Sequence, residues 1–503
     1  MSDGITPVIV GVGEITDRPE TVTDGLEPLA LMAKALERAD QDAGGGLLRF
    51  VDSLDVVNLM SWRYSDITRQ LSDRLGIEPR RATYGKVGGE SPLRYLYEAA
   101  LRIARGEIKV AAIVGAEAQH TVKRAQKHGT VLHWTPQPYH VPSAPSWETY
   151  LERVLNPVAV HLGAARPVTV YPFYEVATAA HWRQVPREAL EEAGDLWARY
   201  STVAATNPGA WIRRRFTREE IIVPTLDNRL IAWPYTKLMT ANPTVNQGAG
   251  VLVTSVTFAK EAGIPGERMV HIWGGAAATE PPDYVDRDCF YESHAQNVVL
   301  ETARSVVGDA PFDALELYSC FPCVPKMARR TLGLGADFTP SVTGGLTFFG
   351  APLNNHMTHA ACAMVHRLRE GVRLGLLYGQ GEFVTKHRSL ILSSEPPERS
   401  FLGRDASVQE EADRRRRPVP PFRAGASGTA SIETFTVLYD GHASVRHGVV
   451  IARTADGGRT LAFVPASDER TLDTLLSLEQ SPVGADGELR PGTNGIPFWR
   501  MLA

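Results

Sequence analysis

Residues 87–117 constrain this chain more than any other stretch. Val87-Gly-Gly-Glu-Ser-Pro92 reads as a tight turn, Leu93 to Gly106 as a helix, and Val110 to Glu117 as a buried strand. Leu93, Leu96, Ala99, Ala100, Ile103 and Ala104 keep the helical period. Gly106 is placed to stop the helix. Val110 to Val114 is apolar without alternation, which suits a parallel strand covered on both faces. A sharp turn feeding a helix N-terminus is a place to hold a nucleophile or an anion, because free N–H groups and the helix dipole point there.

The flanking pattern is layered α/β. Pro7 to Gly13 reads as a strand, Leu26 to Ala43 as a helix, Val51 to Val57 as a strand and Asp66 to Leu75 as a helix closed by Gly76. Gly11-Val-Gly13 lacks the third glycine of a dinucleotide loop, since Thr16 stands there. Residues 118–238 break the rhythm and read as an insertion. His120, His128, His133, His140, His161 and His181 fall in it without metal-ligand spacing. The α/β alternation returns at Leu238 to Ser255, and a second half follows from Met269 to Ser393. Residues 396–428, with Arg414-Arg-Arg-Arg417 and Pro418-Val-Pro-Pro421, read as a linker whose arginines pair with Glu410, Glu411 and Asp413. Residues 429–503 read as a β-rich domain, a small antiparallel barrel of the OB type.

Composition bounds the class. At 503 residues two or three domains are expected. A net charge of −4 gives no argument for nucleic acid. Cys289, Cys320, Cys323 and Cys362 are too few for a disulfide scaffold and suit a reducing compartment. No signal-peptide layout and no run of about 18 apolar residues is present, so the expectation is a cytoplasmic protein without a membrane span.

Three segments together resemble the thiolase superfamily over residues 5–395. Ile103 to Gly106 and Gly115-Ala-Glu117 match the helix and strand that follow the family's nucleophile turn. Thr240-Ala241 and Asn246-Gln247-Gly248-Ala249 match the segment that ends its inserted loop domain. Gly344-Gly345 to Pro352 matches its Gly-His-Pro frame. With the extra C-terminal domain, the chain is most similar to the sterol-carrier-protein-thiolase-like proteins (thiolase-like protein type 1). The resemblance implies an α/β thiolase fold: an N-terminal half (1–265, with an inserted loop domain at 118–238), a C-terminal half (266–395), the linker and the small barrel.

The resemblance also implies where catalysis would reside. A thiolase uses a cysteine to take the acyl group, a histidine to activate it, a second cysteine to move the α-proton and paired donors for the oxyanion. Here Gly89 stands at the nucleophile, Ala351 at the histidine, Tyr318 at the oxyanion-water position, and Gly375 (or Leu376) at the second cysteine. Ser91, Cys320 and His356 are the remaining candidates, with His359 one turn beyond. Cys320-Phe-Pro-Cys323 is a Cys-x-x-Cys pair without the second ligand pair of a zinc site. No metal is expected, and no tightly bound cofactor.

Two functions stay open. One is an acyltransferase-family protein that binds CoA or acyl-CoA in lipid metabolism, through Asn246, Gln247, Gly248 and Gly350, with conventional thiolase catalysis lost. The other is a non-catalytic lipid or acyl-thioester carrier, or a partner subunit of another lipid enzyme. Thiolases dimerise through the strand entering the nucleophile turn, here Ala82 to Val87. Gly85 weakens that strand and Lys86 would place a charge on its edge, which favours the monomer over the homodimer.

Overall fold

The computed structural model describes residues 6–138, 147–339, 341–398, 402–403 and 405–502. His140 lies outside them. The N-terminal half supplies strands β1 (Pro7–Thr16), β2 (Val51–Val56), β3 (Arg81–Tyr84) and β4 (Val110–Ala118). The insertion adds two short strands, β5 (Leu230–Ala232) and β6 (Tyr235–Thr236), and β7 (Asn246–Ser255) returns to the core. The second half carries β8 (Val270–Gly274), β9 (Ala277–Thr279), β10 (Ala314–Leu317), β11 (Leu374–Gly381) and β12 (Lys386–Ser393).

The order β10-β11-β12-β8-β1-β7-β4-β2-β3 shows why the two halves are alike. Reading outward from the junction, β1-β7-β4-β2 and β8-β12-β11-β10 have the same connectivity: two antiparallel pairings, then a parallel one. The halves join where β1 pairs with β8, Val8 opposite His271 and Ile9 opposite Val270. The helices α1 (Pro28–Asp42), α2 (Ile67–Leu75) and α3 (Ser91–Ala104) follow the sequence periodicity closely. Asp66 caps α2 by accepting the Arg69 N–H, and Gly76 ends it in the left-handed conformation.

Helix α3 and the helix His356–Arg369 pack on each other and on strands of both halves. The second of these is buried over most of its surface, His356, His359 and Cys362 included. A helix covered on all sides belongs to the interior. This central position brings the N-terminus of α3 up to the ends of β10 and β11.

The C-terminal strands β13 (Gly428–Tyr439), β14 (Val445–Thr454), β15 (Arg459–Pro465), β16 (Asp486–Arg490) and β17 (Phe498–Met501) close a five-stranded barrel in the order β13-β14-β15-β17-β16-β13. One contact in it is parallel, Phe463 opposite Phe498. The first three strands are legible as alternating runs, whereas β16 and β17 are short and carry Gly487, Arg490 and Arg500. The barrel is not isolated, because β5 pairs with β13 through Ala232 and Leu438.

One expectation needs correction. Strand β3 ends at Tyr84, so Gly85 and Lys86 lie past it in the turn rather than on the paired edge. The exposed edge instead presents Arg81 to Tyr84, and Tyr84 is 45% exposed. The arginine run pairs with its acidic neighbours, Arg414 and Arg415 with Glu411 and Arg416 with Asp413, and also reaches beyond them. Arg415 reaches Glu301, Arg416 reaches Glu280, and Arg417 reaches Asp288 and Glu292 on the second half.

Candidate functional site

The turn before α3 is fixed from two sides. The Gly88 N–H donates to Asn354 Oδ1 at 2.9 Å, and Asn354 Nδ2 donates to the Asn58 carbonyl at 3.0 Å. Glu90 occupies the cap position and Ser91 is the first helical residue. The Ser91 hydroxyl is buried without a hydrogen-bond partner among the described residues, so it neither caps the helix nor meets a base.

Gly89 faces Tyr318 and Gln380. A Cβ at residue 89 would lie 2.5 Å from the Gln380 carbonyl oxygen, 2.9 Å from Tyr318 Cζ, and closer still to the Tyr318 hydroxyl. Ordinary carbon–oxygen contacts are about 3.3–3.6 Å. The space into which a nucleophile side chain would project is therefore taken by the Tyr318 phenol and the β11 backbone. Tyr318 is anchored by its own N–H, which donates to the Tyr378 carbonyl at 3.0 Å.

The neighbouring groups interlock. Cys320 Sγ lies 3.6 Å from Gln380 Oε1, and Gln380 Nε2 donates to the Tyr171 hydroxyl at 2.9 Å. The Tyr171 ring stacks on Phe321 at 4.3 Å between centroids. Burial pushes the Cys320 thiol up to about 12 and raises the Cys323 thiol and the Tyr318 and Tyr171 phenols. At neutral pH the two cysteines are thiols, and neither is the lowered-pKa thiolate of a redox or nucleophilic cysteine. Burial likewise raises the Glu90 carboxyl, with Lys386 opposing the shift.

His356 lies behind Tyr318 and is bonded to other groups. Its Nδ1 bonds the Gly350 carbonyl at 3.1 Å and its Nε2 faces Glu316 at 3.4 Å. Its ring lies edge-on to Tyr318 with centroids 6.2 Å apart. Both nitrogens are engaged away from Gly89. His359 bonds Glu14 instead. Ala351 is buried, its N–H donating to the Asn242 carbonyl at 2.9 Å. Gly375 lies within β11, paired with Ala314 and packed against Met364. It is five residues from Gln380, roughly 17 Å along an extended strand. The structure thus brings Gly89, Tyr318 and Cys320 together, with His356 behind them, and leaves Gly375 apart.

The four proposed ligand contacts are also internal. Asn246 Nδ2 donates to Thr121 Oγ1 at 2.7 Å, and its Oδ1 accepts the Thr121 N–H. Gln247 Nε2 donates to the Gly209 and Phe349 carbonyls, both at 3.0 Å. Gly350 has φ +119°, and a Cβ there would lie 2.6 Å from Gln247 Oε1. Gly248 lies against Leu31 and Ala116. A separate cavity of about 530 Å³ opens between the loop at Met60–Arg63 and the helix α4 (Gln119–His128). Tyr171 and Gln380 were not singled out from sequence. Gln380 sits inside the Gly379-Gln-Gly381 step that marks the strand end, whereas Tyr171 gives no local signal.

Comparison with known proteins follows this geometry. Residues 407–493 match the family model of the thiolase-like protein type 1 additional C-terminal domain. A monomeric SCP2-thiolase-like protein type 1 from Mycobacterium smegmatis is 29% identical, with 100% of each chain covered and a TM-score of 0.83. The Ltp2–ChsH2(DUF35) aldolase (18% identity, 78% of this chain, 98% of that one, TM-score 0.58) shares the fold. So does human mitochondrial 3-ketoacyl-CoA thiolase (16%, 78%, 100% and 0.55, in the same order). No curated protein matches the sequence. The chain thus has a two-half thiolase fold, and its residues 407–493 carry a match to the additional C-terminal domain of the thiolase-like protein type 1 group.

Proposed function

We propose that this protein holds CoA or an acyl-CoA on a thiolase fold without performing thiolysis. One observation carries the loss of turnover: the place for a side chain at residue 89 is filled by Tyr318 and the β11 backbone. The absence of a lowered-pKa thiolate beside it supports the same reading. CoA is the ligand that the fold suggests, since a human thiolase of this fold was solved in complex with CoA. Acetoacetyl-CoA thiolysis, measured beside CoA binding by calorimetry, tests the proposal. Binding without turnover is expected. Turnover at about 1 s⁻¹ or faster, an ordinary enzyme rate, would overturn it.

A second reading is a carrier or partner subunit of another lipid enzyme. It is favoured by the internal bonding of Asn246 and Gln247, whose side-chain amide N–H groups are engaged within the chain. Absence of both CoA binding and turnover would select it. The working form is a monomer, as in the mycobacterial relative. We place it in the cytoplasm; among the described residues no helix is long and apolar enough to cross a membrane.

A further inference from the structure

The segment leading into the helix His294–Val307 gathers three donors of metal-binding type. One atom each from Asp288, Cys289 and His294 lies within 4.8 Å of the others. We infer that this cluster binds a divalent metal ion, with zinc the best fit, where the chain crosses from the second thiolase half to the barrel.

The donor set is one oxygen, one sulfur and one imidazole nitrogen, a combination that suits zinc. Zinc with bonds of about 2.0–2.3 Å in a tetrahedral arrangement holds its donors roughly 3.3–3.7 Å apart. His294 Nε2 and Asp288 Oδ2 are 2.9 Å apart, so that pair needs to open by only about half an ångström. The backbone is already set for this. The Ser293 hydroxyl caps the helix by accepting the Gln296 N–H at 3.1 Å, which fixes His294 as the first helical residue. Asp288 Oδ1 accepts the Cys289 N–H at 3.0 Å, which turns Oδ2 toward His294. All three side chains are largely removed from solvent.

Arg417 supplies an outer layer. Its backbone N–H and its Nε donate to Asp288 Oδ2 at 3.1 and 3.2 Å. Its guanidinium also donates to Cys289 Sγ at 3.2 Å and to Glu292 Oε1 at 3.0 Å. A thiol is a weak acceptor, whereas a metal-bound thiolate accepts such bonds well. The charges balance: Asp288 and the Cys289 thiolate offset the dication, and Glu292 offsets Arg417. Binding releases the Cys289 thiol proton to solvent, His294 binds through an unprotonated Nε2 as the neutral imidazole with its proton on Nδ1, and water completes the fourth position. The alternative is that Arg417 alone is the cation of this cluster, and the metal then has no role.

The full chain, expressed with zinc and dialysed against metal-free buffer, is analysed for bound metal by mass spectrometry. The metal-free protein is then titrated with Co²⁺. Stoichiometric zinc and a sulfur-to-cobalt charge-transfer band are expected. Cys289→Ala and His294→Ala should each weaken binding roughly tenfold or more, whereas Cys362→Ala, a buried cysteine elsewhere, should not. Absence of the band in the unmodified, folded protein overturns the inference without recourse to any variant. Metal retained equally by both ligand variants also overturns it, because the ion then sits elsewhere.

Discussion

Gly89→Ala tests the central steric claim. Gly89 is not among the positive-φ glycines, so its backbone accommodates an L-residue. A substitution of this kind in open space stabilises by about 0.4–1 kcal/mol through the unfolded chain. Here the new methyl would lie 2.5 Å from the Gln380 carbonyl and 2.9 Å from Tyr318 Cζ. Relief requires a shift of about 1 Å to restore normal contact. Strand β11 resists, because it is paired with β10 on one side and β12 on the other. Overpacking of this type costs about 1–3 kcal/mol, and a backbone contact places it in the upper part of that range. Tyr318→Phe in the Gly89→Ala background removes the phenol oxygen and leaves the Gln380 contact, so it restores only part of the loss. Urea unfolding followed by circular dichroism, with wild type alongside, reads the effect as a shift of the midpoint. A Gly89→Ala midpoint equal to that of wild type would refute the reasoning. Thiolysis by Gly89→Cys would refute it directly, because a cysteine would then have found room.

Glu117 is buried with its carboxylate accepting the Met60 and Ser61 N–H groups, and burial raises it to about 7. A raised carboxyl stabilises the fold below its unfolded value near 4.5 and loses that contribution as pH rises through about 7. Glu117→Gln should remove a pH-dependent term of order 3 kcal/mol across that window, read from unfolding midpoints at several pH values; an unchanged pH slope would count against it. Lys326 is fully buried and donates to Glu175 at 2.6 Å and to the Ala189 carbonyl at 3.2 Å. Lys326→Met strands the Glu175 charge and should cost about 3–5 kcal/mol, with Glu175→Gln in the same chain recovering much of it in a double-mutant cycle. Light scattering should give a concentration-independent mass near the 55.0 kDa of one chain; twice that mass would rule out the monomer.

Much of the architecture is local in origin and so was readable in the residues. Helix α3 follows from apolar spacing, α2 from Asp66 and Gly76, and the interior strand β4 from an unbroken apolar run. The segments at 103–117, 240–249 and 344–352 point to the thiolase scaffold through their resemblance to the family's motifs. Gly89 and Ala351, which the resemblance puts at the nucleophile and histidine positions, carry no reactive group. Where β3 stops was not legible: the ladder with β2 ends at Tyr84, and that is decided by the partner strand rather than by Gly85 or Lys86. Nor was the barrel's attachment, because β5 and β13 lie 200 residues apart and a single cross-strand pair joins them. What packs against Gly89 belongs wholly to the tertiary structure. Tyr318 and Gln380 come from a strand end and a second strand, and only packing of both halves around α3 places them against Gly89, with Tyr171 of the insertion bonded to Gln380. Sequence sets which groups are available, whereas burial and close packing decide which of them meet and whether they are charged.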